Sequence, residues 1–162
     1  SCKSPDIYEF DRVVFGVNCS PFLAQFVSRK NAENYEQISS RATETVLKST
    51  YMDDSLDSVS NVQQEIDLYK DLWSLWGRAR MHARKWLSNS QDVLEHIPIE
   101  DRALQVDLAS TVLPSIKTLG ILWMADSDNF AFKTMLGKTK YQKMTKRLFL
   151  KKITSLFDPL GF

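Results

Sequence analysis

Tyr51-Met52-Asp53-Asp54 is the segment of this chain whose residue types could do chemistry. Two adjacent aspartates follow an aromatic and an apolar residue, at the end of a stretch that reads as a strand. A strand that ends in a tight turn can hold two carboxylates at its tip. Such a pair can grip a divalent metal beside a nucleoside triphosphate. Adjacent aspartates are also common in plain solvated turns, so the surrounding elements have to decide between the two.

Those elements alternate. Tyr8, Phe10, Val13, Val14 and Phe15 read as a strand that Gly16 breaks. Cys19 or Ser20 stands at a helix cap, with Pro21 in the first turn. Phe22, Leu23, Phe26 and Val27 recur at helical spacing, and the helix fades into the polar stretch 31–37. Residues 41–48 form a second helical piece, with Ala42, Thr45 and Val46. Thr50 to Met52 is β-prone, Asp53-Asp54 turns the chain, and Leu56 to Val59 returns it. Val62, Ile66, Tyr69, Leu72, Trp73 and Trp76 then lie on one apolar helical stripe, which Gly77 ends. Met81 to Leu87 is basic and reads as a short strand. Val93 and Leu94 belong to a short helix or turn that stops before Pro98. Residues 99–115 have no readable period. Thr118 to Trp123 reads as a strand with Gly120 inside it, and Phe130 to Lys133 can pair with it as a hairpin. Met144, Leu148, Phe149, Ile153, Leu156 and Phe157 have helical period and a basic face. Trp73, Trp76 and Trp86 read as core. The predicted fold class is α+β, with helices packed on one face of an antiparallel sheet.

Composition sets the frame. The chain has 162 residues, 43% hydrophobic and 25% charged, which is a globular composition and enough chain for a core. No apolar run is long enough for a transmembrane span. Ser1 to Asp11 is polar and acidic where a signal peptide would carry its apolar region. Cys2 and Cys19 are the only cysteines, which suits a reduced, intracellular setting better than a disulfide scaffold. The chain begins without Met and ends on Asp158-Pro159-Leu160-Gly161-Phe162, so it reads as cut at both ends. His82 and His96 have no Cys or His at ligand spacing, which leaves no zinc motif.

The net charge of +1 conceals a gradient. Residues 1–60 hold nine acids and six bases. Between Lys133 and Lys152 lie eight bases and no acid. That segment is either a solvated lysine-rich helix face or a surface for a phosphate backbone, where charge supplies most of the affinity.

Five blocks in order carry a resemblance to reverse transcriptases, and within them to the polymerases of Bel/Pao-type LTR retrotransposons. Phe15-Gly16-Val17-Asn18-Cys19-Ser20-Pro21-Phe22 resembles the block entering the long palm helix. Tyr51-Met52-Asp53-Asp54 resembles the catalytic aspartate hairpin. His82-Ala83-Arg84-Lys85-Trp86-Leu87-Ser88-Asn89 resembles the lysine-bearing block after the next helix. Leu119-Gly120-Ile121-Leu122-Trp123 resembles the primer grip. Lys146-Arg147 through Phe157-Asp158-Pro159-Leu160-Gly161 resembles the segment leading into the thumb. The resemblance covers nearly the whole chain. It implies a partial palm over 1–117, a primer-grip-like hairpin over 118–134 and the start of a basic helical thumb over 135–162.

The resemblance also implies roles. The reaction would be in-line attack of a primer 3′-hydroxyl on an α-phosphate, with two Mg2+ (or Mn2+) ions roughly 4 Å apart. Asp53 and Asp54 would be the metal ligands, in unequal roles because strand neighbours point to opposite faces. Phe15, Gly16, Tyr51 and Met52 would line the nucleotide and template, Gly16 by letting the backbone come close. Lys85 would give a proton to the leaving pyrophosphate or balance its charge. Where the resembling block usually has a glycine and an apolar residue before that lysine, this chain has Arg80-Met81. Arg78, Arg80, Arg84 and Lys85 read equally as a surface charge cluster. Leu119, Gly120, Trp123, Lys146 and Arg147 would hold the primer strand. The partners implied are an RNA or DNA template with a DNA primer, deoxynucleoside triphosphates and the remainder of a polyprotein. The setting implied is intracellular, in the cytoplasm or in virus-like particles, with no membrane.

A further aspartate-bearing strand and the fingers would stand upstream of Ser1 in such an enzyme. The expectation is a fragment inactive alone. The alternative is a non-catalytic nucleic-acid-binding relic that uses 133–152.

Overall fold

The computed structural model describes residues 8–104, 106–110, 112–118, 120–131 and 145–153, with side chains to 150. The fold is mixed α+β, with helices and small antiparallel sheets. It divides into two compact units, 1–82 and 83–162.

In the first unit, α1 (Ser20–Tyr35), α2 (Ser40–Lys48) and α3 (Val62–Arg78) pack against one another. Between α2 and α3 lies a hairpin of β1 (Thr50–Tyr51) and β2 (Asp54–Ser55). Cys19 takes the N-cap position of α1 without a side-chain cap bond, and Pro21 stands in the first turn, where its missing N–H costs nothing. The helix runs on to Tyr35 because its polar second half has an internal role. Asn31 Nδ2 donates to the Leu75 carbonyl at 2.9 Å, and the Ala32 carbonyl accepts from Thr43 Oγ1 at 2.9 Å. Ala32, Ala42 and Thr43 are small, so the helices approach closely there. Ser39 caps α2 by accepting from the Ala42 amide at 3.3 Å, and its hydroxyl donates to Asp71 of α3 at 2.5 Å. Asn61 caps α3 through the Gln64 amide at 2.9 Å. On α2, the Glu44 carboxyl is held below its ordinary pKa by hydrogen bonds from Lys48 first and then from Arg41.

The core of this unit is Val46, Ile66, Leu68, Tyr69, Leu72 and Leu75, with Tyr35 at its edge. Each fully buried aliphatic side chain contributes about 1.5–3 kcal/mol relative to exposure. Ile66, Tyr69 and Leu72 of the expected stripe are buried, but the buried face of α3 extends to Leu68 and Leu75 and leaves Val62, Trp73 and Trp76 less covered. Trp73 therefore lies outside the core at 51% exposure, and Val62 lies on the rim. Trp76 and Trp86 are half-buried.

Three expectations for this unit are corrected. The segment from Tyr8 to Phe15 forms no strand among the described residues. Its alternating pattern has no partner strand there to take its N–H and C=O groups. The strand returning from the aspartates is Asp54–Ser55, not Leu56–Val59. Gly77 does not end α3; it lies in the last turn, and Arg80, with φ 54°, is the left-handed residue that closes it. The Met81 amide donates to the Trp76 carbonyl at 2.9 Å and the Arg80 amide to the Gly77 carbonyl at 3.0 Å. That pair of bonds satisfies the end of the helix, although glycine is the usual residue at the left-handed position.

Met81 to Leu87, where the first unit gives way to the second, makes no strand beyond a single bridge from Trp86 to Arg102. The Trp86 amide donates to the Asp101 carbonyl at 2.8 Å, and the Ala103 amide to the Trp86 carbonyl at 2.9 Å. Val93 and Leu94 of α4 (Gln91–Glu95) are buried with Ile97. A meander of β3 (Ser115–Thr118), β4 (Ile121–Met124) and β5 (Asn129–Ala131) follows, with Thr118 opposite Ile121 and Trp123 opposite Phe130. Gly120 is thus not inside a strand. It stands in the β3–β4 turn at φ 84°, a conformation that favours glycine. The pairing of β4 with β5 agrees with the expected hairpin. The last described element is α5 (Lys146–Ile153), whose first turn is capped by Thr145 Oγ1 accepting from the Leu148 amide at 3.2 Å. No described helix is long and apolar enough to cross a membrane.

Candidate metal-binding hairpin

Two residues, Met52 and Asp53, connect β1 to β2, and Tyr51 lies opposite Asp54. This is the shortest ordinary antiparallel connection. Both carboxylates therefore stand at the tip. Asp53 is in the turn and exposed; Asp54 is on the strand and half-buried. Tyr51 and Met52 are exposed beside them.

The turn carries strain. Met52 has φ 56°, where an unbranched side chain still meets the backbone unfavourably. Met52→Gly is expected to stabilise the first unit by roughly 0.5–1 kcal/mol, the relief of strain less the entropy that glycine adds to the unfolded chain. The urea midpoint measures it. A lower midpoint would mean that contacts of the methionine side chain outweigh the strain.

The hairpin is held from behind. Thr50 Oγ1 donates to the Thr45 carbonyl at 3.2 Å and lies 2.8 Å from Ser55 Oγ, and the Leu56 amide donates to the Ser49 carbonyl at 2.9 Å. Past the hairpin, Asp57 receives Thr45 Oγ1 at 2.5 Å and Arg41 Nη2 at 2.9 Å. Arg41 also donates to the Ser58 carbonyl at 3.0 Å and to Glu44 at 3.1 Å. One arginine on α2 thus fixes the chain as it leaves the aspartates. Neither Arg41 nor Asp57 was suggested by the sequence. They lie on opposite sides of the hairpin, and no local spacing connects them.

Among the described residues, no cluster of three or more Asp, Glu, His or Cys includes these aspartates or forms elsewhere. The remaining expected site residues are distributed as follows. Phe15 is fully exposed, and Gly16 follows it at φ 88°. A Cβ on Gly16 would meet nothing within 4 Å, so within the chain itself the glycine serves the backbone angle. Lys85, Gly120, Trp123, Lys146 and Arg147 belong to the second unit. Lys85 is exposed, at φ 62°. Trp123 is half-buried, and its Nε1 donates to Asp128 at 3.0 Å. Lys146 and Arg147 are exposed on the first turn of α5. Leu119 lies outside the described residues, as do Lys133, Lys138, Lys140 and Lys143 of the basic segment.

No protein-family model matches the chain, and neither a curated protein nor a solved structure matches it.

Proposed function

We propose that this chain is part of a retrotransposon reverse transcriptase of the Bel/Pao type, comprising palm and the start of a thumb, in which Asp53 and Asp54 hold divalent metal for nucleotidyl transfer. The observation that carries this reading is the two-residue hairpin with both aspartates at its tip, fastened to α2 and followed directly by a long helix. A second supports it. Arg80 occupies the left-handed conformation that glycine favours, at the position where the resembling block has its glycine. The backbone turn before Lys85 is therefore available without the glycine.

The donor set fits magnesium in its common protein setting, where one or two carboxylates bind and phosphate oxygens and water complete the octahedron. When bound, the metal would supply charge neutralisation at the phosphates. Asp53, exposed in the turn, would be the principal ligand. Asp54, covered on one side, would be the secondary one. Met52 would lie against the primer terminus, where a flexible, polarizable side chain adapts to different base pairs. Two carboxylates make a weak site without substrate, so the chain by itself is proposed to extend no primer.

Mn2+ tests this directly. Amide signals of Asp53 and Asp54 are expected to broaden first in an NMR titration, and at lower Mn2+ when a deoxynucleoside triphosphate is present. Asp53→Asn with Asp54→Asn is expected to weaken the effect at least about tenfold, since carboxylates are preferred ligands for such ions. Broadening centred on other carboxylates, or unchanged in the double variant, would refute the assignment. Primer extension by residues 1–162 alone would refute the proposed inactivity.

The competing reading is a nucleic-acid-binding module that uses 133–152. The exposed Lys146 and Arg147 on α5 favour it. Asp53→Asn separates the two, because a binding module keeps its affinity for nucleic acid after that change.

A further inference from the structure

One turn of α2 touches both legs of the aspartate hairpin. On the entry leg, the Thr45 carbonyl accepts from Thr50 Oγ1 at 3.2 Å. On the exit leg, Asp57 is held by both of its carboxylate oxygens. Arg41 Nη2 donates to Oδ1 at 2.9 Å, and Thr45 Oγ1 donates to Oδ2 at 2.5 Å. Arg41 and Thr45 stand four residues apart, which puts them on one face of the helix. The same Arg41 nitrogen reaches the Ser58 carbonyl at 3.0 Å, while Nη1 reaches Glu44 at 3.1 Å. Thr45 is 1% exposed and the Asp57 side chain 16%, so the grip on Asp57 is shielded from water. Asp57 itself lies only three residues beyond Asp54.

We propose that Arg41 and Thr45 are positioning residues for divalent metal, which through Asp57 fix where the Asp54 carboxylate stands relative to that of Asp53. The inference rests on the metal-binding reading of the hairpin tip. The first argument for it is geometric. The two carboxylates hang from different parts of the hairpin, Asp53 from the turn and Asp54 from β2. The ladder between β1 and β2 is only two residue pairs long, so the strands themselves hold the exit leg weakly. The Leu56 amide on the Ser49 carbonyl and the grip on Asp57 supply the rest. Mg2+ demands near-ideal octahedral geometry, with oxygens at about 2.0–2.1 Å, so a displaced Asp54 serves it less well.

The second argument is the sign of the charge. Arg41 is a cation beside a site for cations, and its charge is already matched by Glu44 and Asp57. A cation that acted on the metal by charge alone would repel it, and its removal would tighten binding. A cation that orients a ligand does the reverse, and its removal loosens binding. The two roles therefore predict opposite results.

The Mn2+ titration, followed through the amide signals of Asp53 and Asp54, decides between them. Arg41→Met keeps the aliphatic stem and removes the guanidinium. It is expected to raise the Mn2+ needed for half-maximal broadening about tenfold, as loss of a group that orients a metal ligand does. Thr45→Val, which alters no charge, is expected to act in the same direction. Lys30→Met, which removes a cation from an exposed ion pair on α1, is expected to leave the titration unchanged. Wild-type chemical shifts for the amides of α3 establish that a variant is folded, and if Arg41→Met unfolds, Thr45→Val carries the test. Mn2+ binding by folded Arg41→Met that equals or exceeds wild type overturns the proposal. So does a Thr45→Val chain whose urea midpoint falls while its Mn2+ titration stays unchanged, since that is a structural role alone. A wild-type chain with no response at Asp53 and Asp54 overturns the metal reading itself, and this inference with it.

Discussion

Leu75→Ala lowers the stability of the first unit by about 2–5 kcal/mol, the usual cost of truncating a buried leucine and leaving a cavity. Leu75 is fully buried on α3, a helix that packs on both α1 and α2. Alanine is an excellent helix former, so none of the loss comes from helix propensity. Its backbone carbonyl still accepts from Asn31, which confines the effect to the side chain. Trp73→Ala is the control. Trp73 belongs to the sequence stripe, but half of it is open to water, and its loss should cost well under half as much. Urea denaturation of the two variants gives the comparison. A larger loss at Trp73 than at Leu75 would mean that the buried face of α3 is the stripe itself.

Asp57→Ala has the next largest effect, about 2–3 kcal/mol, because it removes an ionised acceptor of two side-chain hydrogen bonds. Its side chain is only 16% accessible although its backbone is open, so the two bonds are shielded from water. The Thr45 hydroxyl can still reach the Arg41 carbonyl at 3.1 Å, which limits the loss. Arg41 keeps Glu44 and the Ser58 carbonyl but loses its ion pair to the chain leaving β2. The amide of Leu56, bonded to Ser49, is therefore expected to exchange with solvent faster in this variant, and by a larger factor than amides of α3. Equal acceleration throughout the unit would assign Asp57 to global stability alone. If the aspartate tip binds metal, its affinity should fall in the same variant, although Asp57 is not a ligand.

The elements were legible in the sequence wherever they are set by their own residues. Thr45 and Val46 lie in a helix, and a hairpin turns beside Asp53-Asp54, because each signal is local. Phe130 pairs with Trp123 for the same reason. What the sequence does not contain is the identity of the surface each pattern meets. Tyr8 to Phe15 alternates like a strand, but alternation says only which faces differ, not that a partner edge exists. Phe22 and Phe26 recur like core residues, and the core lies on the other side of their helix. Gly120 is a glycine for its φ angle, which marks a turn, whereas a strand around it was the expectation. The aspartate-bearing hairpin of the candidate site was legible, but one residue out of place, since the chain turns at Met52-Asp53 and Asp54 is already on β2. Its fastening by Arg41 and Asp57 was not, because it depends on how α2 lies beside the exit of β2.

The order of contacts has a consequence for time. In the first unit, α1 meets α2, α2 meets β1 and α3, and β1 meets β2, so most partners are near neighbours along the chain. The longest reach is α1 to α3. In the second, the strands of the meander pair strictly in sequence. Chains built from such near-neighbour contacts close small loops and fold faster than barrels or sandwiches of distant strands. The aspartate hairpin can therefore form as soon as residue 56 has left the ribosome and α2 is in place, well before the basic C-terminal segment is synthesised.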